Sequence, residues 1–262
     1  MKKTLIALAV AASAAVSGSA MAWTANGTGG SVDLGGTLTP TDVVTPWEVK
    51  TGAAVNGLDA EIAKGQQKVE LKMPKDALIL GIRTKTNDVF LGGKPNINPQ
   101  IDFHNAVDID AFVGGKTTLT LDVTQDGNKI GTMKTSFESG AEASFHNTVN
   151  GSDTNKYSLY ASDSHWAFFG GLGKNAAAAS KWGYSIAKKY DAEVVANYND
   201  QGIPNDAIQE AIKFTDGNKV YSGVYGAGIP ANSSIVITLD QAASGDAPIQ
   251  WKASLPVTVS YQ

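Results

Sequence analysis

Ile249-Gln250-Trp251-Lys252-Ala253-Ser254-Leu255-Pro256-Val257-Thr258-Val259-Ser260-Tyr261-Gln262 closes the chain, with an apolar residue at every second position from Ile249 to Tyr261. Seven apolar positions at period two predict a half-buried β-strand, because successive strand side chains point to opposite faces and no helix has that period. Pro256 adds a second clue. Proline cannot donate to a hydrogen-bonded ladder and is tolerated on edge strands, so this core-facing strand is expected to lack a neighbour on one side. An open apolar edge promotes aggregation unless something covers it.

Shorter runs upstream repeat the pattern. Val69, Leu71 and Met73 alternate with charged residues; Leu119, Leu121 and Val123 alternate before the turn Asp126-Gly127-Asn128; Ile235, Ile237 and Leu239 alternate further on. Many short strands separated by turn residues predict an all-β sandwich. Residues 173–219 depart from it and read as an insertion of helices and loops. Within it, Asn175 to Tyr190 is alanine-rich with helix-like spacing interrupted by Gly183, and Asn205 to Lys213 reads as a short helix with Ile208 and Ile212 four apart.

The chain opens with Lys2 and Lys3, an apolar run from Leu5 to Val16, and Ala20-Met21-Ala22 before Trp23. That is the pattern of a secretory signal peptide over residues 1–22, with a run too short to span a bilayer. Its removal leaves 240 of 262 residues, ample for a hydrophobic core, and takes the formal charge from −4 to −6 by subtracting Lys2 and Lys3. An acidic chain argues against nucleic acid as a partner. Arg83 is the sole arginine, which argues against an anion clamp built from several guanidinium groups, and the chain has no cysteine.

Trp23 to Thr45 is rich in Gly, Thr and Asn, the composition of a flexible terminal linker. Yet Thr28, Gly30, Val32, Leu34, Gly36 and Leu38 keep period two, for which a linker has no reason.

Catalytic and metal motifs fail on inspection. Asp122 to Gly127 starts like a calcium loop, but the twelfth position, which needs a bidentate glutamate, is Met133. Asp163, Ser164 and His165 are adjacent rather than disposed as a relay, no G-x-S-x-G elbow occurs, and the three histidines are scattered. Gly171 to Lys174 lacks phosphate-loop spacing. A carboxylate pair for glycoside hydrolysis stays open, because sequence does not reveal separation. No catalytic residue, cofactor or metal is assigned. The aromatic group His165, Trp166, Phe168 and Phe169, with Trp182 and Tyr184 in the insertion, is the candidate receptor site, since rings stack on sugar faces and loops carry binding. The competing reading makes Trp166 and Phe168 inward-facing strand residues.

Three segments, Trp23 to Gly57 (WTANGTGGSVDLGGTLTPTDVVTPWEVKTGAAVNG), Ser158 to Leu172 (SLYASDSHWAFFGGL) and the terminal WKASLPVTVSYQ, resemble the kappa-class chaperone-usher fimbrial subunits, the large adhesive pilins of diarrhoea-causing enteric bacteria. The resemblance implies an incomplete immunoglobulin-like sandwich over residues 40–262. A periplasmic chaperone, and then the N-terminal extension of the next subunit delivered at the outer-membrane usher, would complete it. Residues 23–39 would be that extension, with Val32, Leu34 and Leu38 entering pockets and Gly36 placed where little space remains. Trp251, Ala253, Leu255, Val257, Val259 and Tyr261 would border the groove. The implied function is a non-enzymatic structural subunit of a surface fimbria, the major one and itself a host-glycan adhesin. The alternatives are a minor subunit of the same fimbria, or a secreted monomeric lectin or carbohydrate-active enzyme.

Overall fold

A computed structural model describes residues 25–28, 32, 34–39, 44–151, 153–204 and 208–262. Residues up to Asp42 and those from Val43 onward form separate units. The proposed signal segment lies outside the described residues. In the second unit the described strands are β1 (Trp47–Thr51), β2 (Lys68–Lys72), β3 (Ala77–Thr84), β4 (Phe90–Leu91), β5 (Pro99–Asp102), β6 (Lys116–Gln125), β7 (Asn128–Asn147), β8 (Thr154–Leu159), β9 (Gln209–Glu210), β10 (Lys219–Ile229), β11 (Ser234–Leu239), β12 (Lys252–Ala253) and β13 (Thr258–Tyr261). One α-helix, α1 (Gly183–Tyr190), and a 3₁₀ turn (Ala192–Val195) accompany them. The fold is all-β, as the alternation predicts. No helix among the described residues is long and apolar enough to cross a membrane.

The 20-residue strand β7 organises the pairing. Its first half pairs with β6 and β11, its second half with β10 and β8, and Glu138 is in register with both Lys116 and Gly228. From the first half the order continues through β11 to β2 and through β6 to β12; from the second it continues through β10 and β3 to β1. The Asp126-Gly127 turn joins β6 to β7 with positive φ at both residues (50° and 82°), which matches the twist of a two-residue hairpin. Inward residues of these strands build one core in which Trp47, Phe137, Phe168, Phe214 and Tyr225 are buried.

Two expectations for the insertion need correction. Asn175 to Tyr190 is helical only from Gly183, and residues 175–180 form turns instead. The carbonyls of Ala177 and Ala178 accept from the Gly114 and Gly115 amides (3.0 and 2.7 Å), and those of Ala176 and Ala179 accept from Gln209 Nε2 (2.6 and 2.9 Å). Long-range donors thus claim the acceptors that a helix would use. The helix expected over Asn205–Lys213 is absent from its described part: Gln209–Glu210 is a strand parallel to β8, while residues 205–207 lie outside the described residues. Ile208 is exposed and Ile212 buried, so their spacing marks no common face.

Helix α1 reaches the sheet through glycine. Gly81, Gly226 and Gly140 are cross-strand neighbours on β3, β10 and β7. A Cβ on Gly226 would lie 2.5 Å from Ala187 Cα and one on Gly140 2.9 Å from Gly183 Cα, both inside contact distance. A Cβ on Gly81 would instead meet Val194 Cγ2 of the 3₁₀ turn at 2.5 Å, so Gly226 and Gly140 are the seat of the helix. At its far end the buried Glu138 carboxylate accepts from Lys189 Nζ (2.7 Å) and Tyr190 Oη (2.8 Å), with Lys116 Nζ at 3.6 Å. Gly226→Val is expected to unseat α1 and cost about 1–3 kcal/mol through overpacking, read as a lowered denaturant midpoint with unchanged slope. Retention of parental stability would show that the helix does not bear on the sheet there.

Candidate functional site

The chain terminus folds differently from the single strand expected. It makes two short strands on either side of Pro256: β12 pairs with β6 through Lys252 and Ala253, and β13 pairs with β5 from Thr258 to Tyr261. The missing donor of Pro256 falls at the break, and residues 254–257 are not in a ladder. The side-chain alternation survives unbroken. From Trp251 to Gln262 every odd-numbered residue is half-buried and every even-numbered one exposed, and Ile249, Trp251, Ala253, Leu255, Val257, Val259 and Tyr261 all pack on the core without any being fully buried. A row facing a finished core would be closed off as Leu80 and Ile82 on β3 are.

A second segment, which the sequence reading does not single out, shares this state. Between the amide of Gly52, bonded to Ile79 O, and that of Gly65, bonded to Ala243 O, residues 53–62 make no backbone hydrogen bond among the described residues. Val55, Leu58 and Ile62 nonetheless pack on the core at half burial. Both segments turn apolar side chains to the core at half burial, the terminal one paired on either side of residues 254–257 and residues 53–62 in no ladder.

In the N-terminal unit, the described residues 32 and 34–39 carry no regular secondary structure. Val32, Leu34 and Leu38 are 85, 95 and 97% exposed, and a Cβ on Gly36 would meet nothing within 4 Å.

The aromatic candidates separate into two groups. His165, Trp166, Phe168 and Phe169 lie in a turn rather than a strand, with positive φ at His165 and Phe168. His165 is exposed, and Trp166 is half-buried beneath Lys213 Nζ at 4.5 Å from the ring centroid. Phe169 is half-buried, and its carbonyl accepts from the Ile101 amide. Phe168 is wholly buried and stacked on Tyr225 with centroids 5.6 Å apart, so its ring offers no face to a ligand. Trp182 and Tyr184 open a different place: a cleft of about 360 Å³ lined by these two residues with Glu142, Lys156, Ser185, Tyr198 and Asp200.

The floor of that cleft is charged and buried. Glu142 on β7 is 4% exposed, and burial raises its carboxyl above the ordinary range. Tyr198, Lys156 and the Tyr184 amide in the first turn of α1 oppose the rise. Tyr198 Oη completes no hydrogen bond among the described residues, and burial followed by the nearby Glu142 charge raises its phenol far above the usual range. Lys156 on β8 is buried and sits 3.8 Å from Asp200. Tyr184 packs against Tyr198 (5.7 Å), while Trp182, immediately before α1, is 57% exposed. The glycine seat of α1 thus sets the rim, and the Ser144 hydroxyl, donating to Asn199 O at 2.6 Å, holds the opposite wall. Of the lining, sequence reading finds only the two aromatics. The one further signal was Glu142 within the Gly/Ala/Ser run of β7, where a carboxylate has little reason to be unless it is buried and used.

The family model described as "Fimbrial, major and minor subunit" matches residues 1–262. The chain belongs to this family of fimbrial subunits. It is 33% identical to K88 fimbrial protein AD and 32% identical to K88 fimbrial protein AB, and 28% identical to F41 fimbrial protein, all of Escherichia coli and all over the whole of both chains. The resemblance first seen in three segments of this fimbrial subunit therefore extends along its whole length.

A carboxyl that protonates more easily in the folded than in the unfolded chain binds more protons when folded. Glu142 therefore makes stability decline as pH rises from the ordinary glutamate value of 4.5 through its raised value, and leaves it level above that. Glu142→Gln is expected to flatten this decline in denaturant midpoints measured across pH. An unchanged pH profile would mean that Glu142 ionises freely.

Proposed function

We propose that this fimbrial subunit polymerises by strand donation, residues 28–38 of one copy completing the sandwich of the next along the edge bounded by residues 53–62 and 249–261. The observation that carries the reading is the half-covered apolar row from Trp251 to Tyr261 with unpaired backbone beside it. Val32, Leu34 and Leu38, apolar and exposed at the same period, supply what that row lacks. Main-chain ladder bonds give such an added strand its affinity and alternate pockets give it specificity. Burying three such side chains is worth about 5–9 kcal/mol at about 1.5–3 kcal/mol each, comparable with the whole stability of a domain, about 5–15 kcal/mol.

On this reading residues 1–22 direct export and are removed before Trp23. A periplasmic chaperone covers the open edge until the outer-membrane usher exchanges it for the next subunit, and the product is the major, homopolymeric component of a surface fimbria. Leu34→Asp is expected to abolish polymers, because a charge would enter an apolar pocket, while leaving the chaperone-bound subunit folded. A peptide spanning residues 23–39 should raise the melting temperature of a subunit deleted for those residues, through binding to the folded state alone. A deleted subunit as stable as the full chain and indifferent to the peptide would refute strand donation.

The cleft favours a second role beside the first, host-glycan binding by the same subunit. An exposed tryptophan at the rim, with a buried carboxyl and a phenol at the floor, offers a stacking face and hydrogen-bonding groups for a sugar. Replacing both Trp182 and Tyr184 by alanine should reduce binding to host cells severalfold while fibres still assemble. Full binding by intact fibres of that variant would remove the cleft from consideration.

A further inference from the structure

Three asparagine–glycine pairs occur in the chain, Asn26-Gly27, Asn56-Gly57 and Asn150-Gly151. Glycine leaves the backbone nitrogen after asparagine unhindered and free to adopt the conformation that attacks the preceding side chain. In that reaction the following amide nitrogen bonds to Cγ, the Cγ–Nδ2 bond breaks and ammonia leaves; water then opens the succinimide ring to aspartate or isoaspartate. Water is the only co-reactant.

We infer that Asn56 is the principal site of spontaneous deamidation in the globular unit, and that filling of the open edge by a strand suppresses the reaction. Asn56 and Gly57 are both exposed, and among the described residues neither the Asn56 side chain nor the Gly57 amide makes a hydrogen bond. Gly57 has φ of +74°, with nothing within 4 Å of where a Cβ would stand, so the space beside its Cα is open. Asn150-Gly151 is built differently. The Gly151 amide, which would be the nucleophile, donates to Asn147 O at 3.1 Å, and the Asn150 amide donates to Asn147 Oδ1 at 3.3 Å.

Asn56 lies between Val55 and Leu58, two of the side chains by which the unpaired segment packs on the core. Aspartate there adds a charge to the apolar margin. Isoaspartate also lengthens the backbone path by one carbon and puts the two anchors out of step. A strand paired along residues 53–62 would engage their amides and hold the backbone extended, away from the ring-forming conformation. This protective half rests on strand donation, whereas the reactivity of Asn56 does not.

Full-length mature subunit, as monomer and as assembled fibre, is incubated in mildly alkaline buffer, and peptides containing Asn56 and Asn150 are followed by mass spectrometry. Conversion at Asn56 several times faster than at Asn150 in the monomer is expected, with loss of the acidic species in Asn56→Gln. Equal or slower conversion at Asn56 overturns the assignment. In fibres the rate at Asn56 should fall severalfold while that at Asn150 holds. Fast conversion at Asn56 in both forms would leave the modification site standing and overturn the protective half, together with the placement of a neighbour's strand on this edge.

Discussion

The fold turns on apolar rows that the described residues cover only halfway. Seven apolar side chains between Ile249 and Tyr261 reach the core yet stop at half burial, and Val55, Leu58 and Ile62 do the same from a segment without ladder bonds. Apolar surface left in water costs about 25 cal/mol per Å², and unpaired edge groups invite another strand. A domain in this condition is either marginal or completed by something else. Strand donation by a second copy, as proposed above, would supply that completion.

On the other side of the molecule the sheet is covered by the chain's own insertion. Gly226 and Gly140 let α1 approach the backbone closely, and the buried carboxyls of Glu138 and Glu142 lie on the same strand at the two ends of that contact. They differ in character. Glu138 is saturated by Lys189 and Tyr190, whereas Glu142 lines the cleft beside Lys156 and Tyr198.

Local signals were legible where the backbone answers to its nearest neighbours. The Asp126-Gly127 hairpin and the alternation of β2, β6 and β11 follow from periodicity and turn chemistry, and each agrees with the structure. The insertion misled because its helical appearance lay in composition alone. Ala176 to Ala179 favour a helix by propensity, but Gly114, Gly115 and Gln209 take their carbonyls from 30 to more than 60 residues away. Propensities of a few tenths of a kcal/mol per residue do not withstand such competition.

The sequence by itself determined the all-β class and the family, because side-chain alternation and extended similarity are properties of linear order. Tertiary structure alone decided that the last strand divides at Pro256 between two partners, that residues 53–62 share its half burial, and that Phe168 is core while Trp182 and Tyr184 line a cleft. It also brought Glu142, Lys156, Tyr198 and Asp200 to that cleft from separate parts of the chain. Burial and convergence of polar groups depend on which distant backbone closes over a residue, and no local period records that.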